Sequence, residues 1–248
     1  MMSFFKKNEV SQDLFLDGQL SIFQPLNGYR AATDPVLLAA ACPAITGDEV
    51  MEFGCGVGTA SFCIFRRVNV SLTGLEIQEN YASLAIKNGL INKIPIHVEI
   101  GDFKKMPKNI KNRSFDQVIL NPPYYKTGTP STNQGRNQSL RIITPLSEWV
   151  SEGVKRLKPN GWITIINTPE NLIEILISLS KSTGDIQIKP LTSNPDKIAN
   201  RVIIRAKKSS KSITKIYPPL IIHVGEGKTK KFSTEAEGIF RNGFPLTF

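Results

Sequence analysis

The run Val50-Met51-Glu52-Phe53, followed at once by Gly54-Cys55-Gly56-Val57-Gly58 and then Thr59-Ala60-Ser61-Phe62-Cys63-Ile64-Phe65, restricts the fold more than any other feature of this chain. A short apolar run reads as a buried strand, the glycines as a tight loop and the next segment as a helix. Glycine lets backbone approach a ligand closely, and the unpaired N–H groups that open a helix attract electron-rich groups. Together they point to a parallel α/β sheet with a ligand at its strand ends. Thr59 stands where a nicotinamide or flavin site wants its third glycine, which argues against a pyrophosphate-bearing cofactor.

The rest of the chain repeats this alternation. Strands are predicted near 49–53, 71–76, 96–100 and 115–120, with helices near 59–67 and 79–89. Trp149 to Leu157 reads as a helix closed by Lys158-Pro159-Asn160-Gly161, followed by a strand over Trp162 to Ile166. A helix over Leu172 to Leu179 leads to two last strands, Ile186 to Pro190 and Arg201 to Arg205. Strands interleaved with helices predict a mostly parallel sheet covered on both faces. Ahead of it, Leu14-Phe15-Leu16 and Leu20-Ser21-Ile22-Phe23 flank Asp17-Gly18-Gln19, a hairpin signal. Asp34-Pro35 supplies an N-cap and a first-turn proline for a helix over Val36 to Ala41. Lys207-Lys208-Ser209-Ser210-Lys211 reads as a flexible basic link, Leu220 to Val224 as one more strand and Thr234 to Arg241 as a terminal helix. This divides the chain into a hairpin and capping segment (1–33), a main domain (34–208) and a basic extension packed on it (209–248).

Glu52, Glu76 and Asp102 end or nearly end three successive strand candidates. A carboxylate in the position of Glu76 can accept both hydroxyls of a ribose. Asp102 can accept from an adenine amino group while Phe103 covers the ring. Asn121-Pro122-Pro123-Tyr124 then follows the apolar run Phe115 to Leu120. The prolines hold φ near −65° and keep Asn121 extended. An amide oxygen, a stiff backbone carbonyl and an aromatic ring thus lie within one turn, which describes a pocket for an exocyclic amine.

Glu52 to Gly58, Glu76, Gly101-Asp102 and Asn121 to Tyr124 together resemble the motif series of the class I S-adenosylmethionine-dependent methyltransferases. The final motif is similar to that of the branch that methylates adenine N6 or a glutamine amide. Asn27-Gly28-Tyr29-Arg30-Ala31-Ala32-Thr33-Asp34-Pro35-Val36-Leu37-Leu38 further resembles the bacterial tRNA adenine-N6 methyltransferases of the valine-tRNA type. The resemblance implies a Rossmann-like, seven-stranded sheet with an antiparallel last strand. It implies S-adenosyl-L-methionine as cofactor, S-adenosyl-L-homocysteine as product, and Asn121, Pro122, Pro123 and Tyr124 as the catalytic set. Tyr29, Arg30 and Thr33 would lie over the methionine end. Glu52, Gly54, Cys55, Gly56, Gly58, Glu76, Ile77, Asp102, Phe103 and Asn121 would complete the cofactor site. A glutamine methyltransferase stays open as an alternative, although only about 25 residues precede Asn27, fewer than a substrate domain needs. An inactive RNA-binding relative of the same fold is the other.

Net charge is +10, and from Lys197 onward eleven basic residues face three acidic ones, so the last quarter carries +8 and the first 196 residues +2. Such clustering suits a polyanion, here tRNA or another structured RNA. Tyr125 to Leu146 reads as a substrate lid, with Lys126, Arg136 and Arg141 joining Tyr124, Lys207, Lys208 and Lys211 as candidate substrate contacts. Three cysteines without paired spacing and two histidines predict neither a disulfide framework nor a metal site, and fit a cytoplasmic setting. No secretory signal or membrane span is expected, and the oligomeric state is left open.

Overall fold

The computed structural model describes residues 5–123, 144–225 and 227–248. Its elements begin with the hairpin β1 (Val10–Phe15) and β2 (Leu20–Pro25), then α1 (Thr33–Ala41). The alternating region follows as β3 (Glu49–Phe53), α2 (Thr59–Arg67), β4 (Ser71–Glu76), α3 (Glu79–Asn92), β5 (Ile96–Ile100), a short α4 (Lys108–Lys111) and β6 (Phe115–Leu120). Next come α5 (Leu146–Lys155), β7 (Leu157–Asn167), α6 (Leu172–Ser180), β8 (Thr183–Thr192) and β9 (Arg201–Lys208). The chain ends with β10 (Lys215–Ile216), β11 (Leu220–Ile221), β12 (His223–Val224), β13 (Lys231–Phe232) and α7 (Thr234–Asn242).

The central sheet runs β10-β8-β9-β7-β6-β3-β4-β5, with β11 also on β8. Strands β3 to β7 are mutually parallel, and β9 is antiparallel to both β7 and β8. Two cores form because neighbouring side chains on a strand face opposite ways. On β6, Val118 and Leu120 pack with Val150, Val154, Ile175 and Leu179 of α5 and α6. Ile119 between them joins Val36, Leu37, Phe62 and Leu84 on α1, α2 and α3. All three β6 residues are fully buried, each worth roughly 1.5–3 kcal/mol of transfer free energy.

Five local expectations are corrected. Among the described residues the sheet has nine strands, because the two-residue strands β10 and β11 lengthen the β8 edge. Lys158-Pro159-Asn160-Gly161 lies inside β7 rather than closing a helix, and the register shifts there between Phe115 and Gln117. A Cβ on Gly161 would come within 2.9 Å of the Asp116 carbonyl, so the glycine lets β6 pass close and turn signals become a bulge. Asp34 does not cap α1, which starts at Thr33 behind Ala32; it lies in the first turn and pairs with Arg201 Nε at 3.0 Å. Lys207 and Lys208 belong to β9 and are no flexible link, while Leu220 to Val224 divides between β11 and a separate hairpin, β12–β13.

The N-terminal hairpin is held by side chains that imitate a strand. Asn88 on α3 accepts from Phe23 N–H at 2.8 Å and donates to its carbonyl at 3.1 Å. One turn on, Asn92 makes the same exchange with Ser21 at 2.9 and 2.7 Å. At the other end of the chain α7 packs on α1, with Leu246 N–H donating to the Ala40 carbonyl at 2.9 Å. Among the described residues no helix is long and apolar enough to cross a membrane.

Candidate active site

The carboxyl ends of β3, β4, β5 and β6 meet at the glycine loop. Gly54 and Cys55 N–H both donate to the Leu75 carbonyl, at 2.8 and 3.2 Å, so the loop folds back against β4. Gly54, Gly56 and Gly58 all have positive φ, of 65°, 54° and 86°, a backbone that L side chains adopt at a cost. Around Gly56 no atom lies within 4 Å of where a Cβ would stand, so its backbone borders open space. Cys55 points its thiol inward against Gly74, where an added Cβ would meet Sγ at 2.6 Å. It contributes backbone to the loop and packing to the sheet.

The three acidic residues have different surroundings. Glu76 accepts from Gly56 N–H at 2.8 Å with one oxygen and from Gln78 N–H at 2.9 Å with the other, which spreads its carboxylate across the loop mouth. Burial pushes its pKa up despite those bonds. Ile77, next along, is 61 % exposed. Glu52 is 4 % exposed and accepts from Ser61 N–H and Oγ at 3.2 and 2.6 Å. Burial, reinforced by the nearby Glu76 charge, pushes Glu52 up to about 8 against the Ser61 bonds, so it holds a proton at neutral pH. Its side chain fastens β3 to the start of α2. Asp102 accepts from Lys104 N–H at 2.9 Å, capping the turn after β5.

Phe103 departs from its expected place. Its ring packs between Phe53 (centroids 6.0 Å apart) and Trp149 (4.5 Å) and is 8 % exposed, so it is core rather than an open lid for a bound ring. Trp149 of α5 also lies against the loop, 3.1 Å from a Cβ built on Gly54.

Asn121 follows the last residue of β6, and its Nδ2 donates to the Tyr29 hydroxyl oxygen at 3.2 Å. That bond turns the carbonyl end of the amide away from Tyr29. Burial and the Asp34 and Glu52 carboxylates push the Tyr29 pKa up to about 12, so it is a neutral phenol. Tyr29 is set in turn by Tyr81, whose hydroxyl donates to the Tyr29 carbonyl at 3.1 Å. Gly28 makes this approach possible, since a Cβ there would lie 2.6 Å from the Tyr81 hydroxyl. Pro122 is buried and Pro123 exposed at the strand end, and Thr33 is exposed at the start of α1.

The Arg30 guanidinium turns instead toward the hairpin, donating to Ser11 Oγ at 2.9 Å, the Pro25 carbonyl at 2.8 Å and Asp13 Oδ2 at 2.5 Å. It fixes the segment that carries Tyr29. Tyr124, Lys126, Arg136 and Arg141 lie outside the described residues. Lys207 and Lys208 are at the wrong end of the sheet for a substrate at Asn121. Leu120 is in register with Ile165 and Ile165 with Ile204, and antiparallel β9 carries Lys207 three residues further toward the amino edge, about 10 Å. Lys208 Nζ donates to the Leu157 carbonyl at 2.6 Å, and Lys211 follows on the same edge.

Sequence reasoning missed Ser61, Tyr81, Asn88 and Trp149 as supports. Only the Asn88 and Asn92 pair, four apart on an otherwise apolar helix face, carries a readable signal.

Comparison with known proteins agrees with this geometry. Residues 46–216 match the family described as methyltransferase domain. A Shewanella sediminis protein named tRNA1(Val) (adenine(37)-N6)-methyltransferase is 26 % identical over 181 residues, 70 % of this chain and 74 % of its own. A Bacteroides fragilis protein of the same name is 26 % identical over 162 residues, 63 % and 68 % of the two chains. Among solved structures, an Agrobacterium tumefaciens protein described as a predicted O-methyltransferase superposes with TM-score 0.71 at 20 % identity, covering 86 % of this chain and 98 % of that one. A Thermus thermophilus 16S rRNA N2 G1207 methyltransferase, solved with AdoMet and guanosine, gives 0.57 at 16 %, covering 80 % and 50 %. The family match spans well over half of the sequence, and the chain belongs to the methyltransferase-domain family.

Proposed function

We propose that this protein is an S-adenosylmethionine-dependent N-methyltransferase acting on the exocyclic N6 amine of an adenine in tRNA. The observation that carries the reading is the Asn121 amide, held at Nδ2 by Tyr29 at the end of β6, beside a glycine loop bordered by carboxylates. The names of the Shewanella and Bacteroides relatives supply the substrate. Such a substrate places the protein in the cytoplasm.

The residues fit this cofactor chemically. Glu52 and Glu76 are buried acids with no ion pair among the described residues, and a cationic sulfonium compound beside them would favour the ionised forms that burial opposes. Backbone of Gly54 to Gly58 would line it, Glu76 would accept the ribose hydroxyls, Asp102 the adenine amine, and Tyr29 and Thr33 would border its methionine end. When bound, the cofactor supplies a methyl group already activated by positive sulfur.

What remains for the protein is alignment and exclusion of water, which in well-oriented reactions account for roughly 7–11 kcal/mol of barrier. Asn121 Oδ1 and the Pro122 carbonyl accept the two amine hydrogens and raise lone-pair density on nitrogen. The amine becomes acidic only once alkylated, so an amide without an ionisable base suffices. Tyr124 is assigned to stack on the base, an interaction of about 1–3 kcal/mol. A target adenine must leave its stack, which suits a tRNA loop. Incubation with methyl-labelled cofactor and unfractionated tRNA, followed by nucleoside mass spectrometry, tests the reading: N6-methyladenosine is expected. Label in protein glutamine, or no transfer at all, would overturn it.

A further inference from the structure

We propose that the β8–β9 loop and the β12–β13 hairpin form the surface that carries RNA phosphates toward Asn121. This deepens the proposed function and rests on it.

Topology decides which cations share an edge with the amine pocket. Because β8 runs parallel to β7 and β9 runs back, the connection from Ser193 to Asn200 emerges at the carboxyl edge, the edge of Asn121. Parallel β11 brings the chain up beside Leu191 and Thr192 to that edge again. There His223 N–H donates to the Ser193 carbonyl at 3.0 Å, and β12 pairs with β13. The hairpin is a fixed platform. His223 stacks on Phe232 at 5.1 Å, Phe232 meets Phe240 of α7 at 5.2 Å, and Ser233 Oγ donates to the Ile221 carbonyl at 2.6 Å.

From these supports Lys197, Lys230 and Lys231 project into solvent, and none has an ion pair among the described residues. Three other lysines are used internally: Lys158 with Glu49 and Asp116, Lys215 with Asp185, Lys208 with a backbone carbonyl, whereas Lys93 and Lys181, which also lack an ion pair among the described residues, lie at the amino edge. Beside Lys197, Ile198 is 94 % exposed, an open apolar contact next to the charge. Four strand spacings separate β6 from β11, about 19 Å. A strand whose target nucleotide sits at Asn121 therefore reaches these cations with phosphates several nucleotides away, and unneutralised lysines on a rigid support are what a phosphate backbone recognises.

The test compares two triple variants of the full chain, each losing three charges. Lys197→Gln/Lys230→Gln/Lys231→Gln alters the carboxyl edge, and Lys93→Gln/Lys155→Gln/Lys181→Gln alters the ends of α3, α5 and α6 at the amino edge. Unfractionated tRNA is the probe, titrated between about 50 and 200 mM salt. Calorimetric affinity for S-adenosylmethionine reports an intact fold. The carboxyl-edge variant is expected to bind about tenfold or more weakly, with a salt dependence of log affinity shallower by roughly 2. The amino-edge variant should keep wild-type affinity and slope. Equal losses in both, or a loss confined to the amino edge, overturn the surface. A wild-type protein that binds S-adenosylmethionine yet methylates no tRNA overturns the substrate reading instead, which separates the two failures.

Discussion

Glu49 and Glu52 stand three residues apart on β3 and are treated in opposite ways by the two ends of the sheet. Glu49, at the amino edge, pairs with Arg113 and Lys158, each at 3.0 Å, and Lys158 also reaches Asp116 at 2.9 Å. Hydrogen bonding to Lys158 and Arg113 holds its pKa below the ordinary carboxylate range. Among the described residues Glu52 has only Ser61 for a hydrogen-bond partner, and burial pushes it up to about 8. Satisfied charge marks the end of the sheet that only has to be stable. Acid kept without a counter-ion at a cost marks the end that receives a ligand.

The strongest way to break this contrast is to remove the amide between the two halves of the carboxyl edge. Asn121→Ala should lower kcat by about 10²–10³-fold, the usual loss for a hydrogen-bonding group that acts in the transition state. Its affinity for S-adenosylmethionine, read by calorimetry, should stay near wild type; unaltered turnover would remove Asn121 from the chemistry. Glu76→Ala comes next. It deletes the carboxylate that spans Gly56 and Gln78, and a lost charged hydrogen bond of about 1.5–3 kcal/mol predicts roughly 10- to 100-fold weaker cofactor binding. Equal cofactor affinity would put the ligand elsewhere.

The legible half of the molecule is the one built from local signals. β3, β4, β5 and β6 stand where the apolar runs place them, and the glycine loop, Glu76 and the strand end at Asn121 converge as their spacing implies. Parallel topology alone sends those ends to one edge. The C-terminal quarter is harder to read because there the edge at which each cation lies depends on strand direction. Lys207 and Lys231 look alike in a charge count, yet β9 carries the first toward the amino edge and β11 brings the second back to the carboxyl edge. The roles of Phe103 and Arg30 were misplaced for a related reason. Their partners, Trp149 and Asp13, come from distant sequence that no local pattern ties to them.

Glu52 and Glu49 also offer paired substitutions of opposite sign. Glu52 titrates near 4.5 when unfolded and about 8 when folded, so its favourable contribution is complete below pH 4.5 and is lost as pH rises toward 8. Glu52→Gln keeps an acceptor for Ser61 and removes that loss. Relative to wild type it should become more stable by up to about 1.4 kcal/mol per pH unit over this window, measured by urea unfolding at several pH values. A flat difference between variant and wild type would mean that Glu52 is ionised and paired.

The smallest effect belongs to Glu49→Gln. Its depressed folded pKa makes the contribution present above the unfolded value near 4.5 and lost as pH falls through the folded one. Because the side chain is 36 % exposed, solvent screening limits the cost at pH 7 to about 1 kcal/mol or less, and the cost should vanish in acid. Cofactor affinity should not change, since Glu49 opens β3 at the end opposite the glycine loop. Denaturant midpoints of the two variants should therefore move in opposite directions at pH 7 and converge on wild type once the pH is below the depressed folded pKa of Glu49. Parallel movement would mean that the two edges do not handle charge differently, and the case for a ligand at the Glu52 end would lose its electrostatic support.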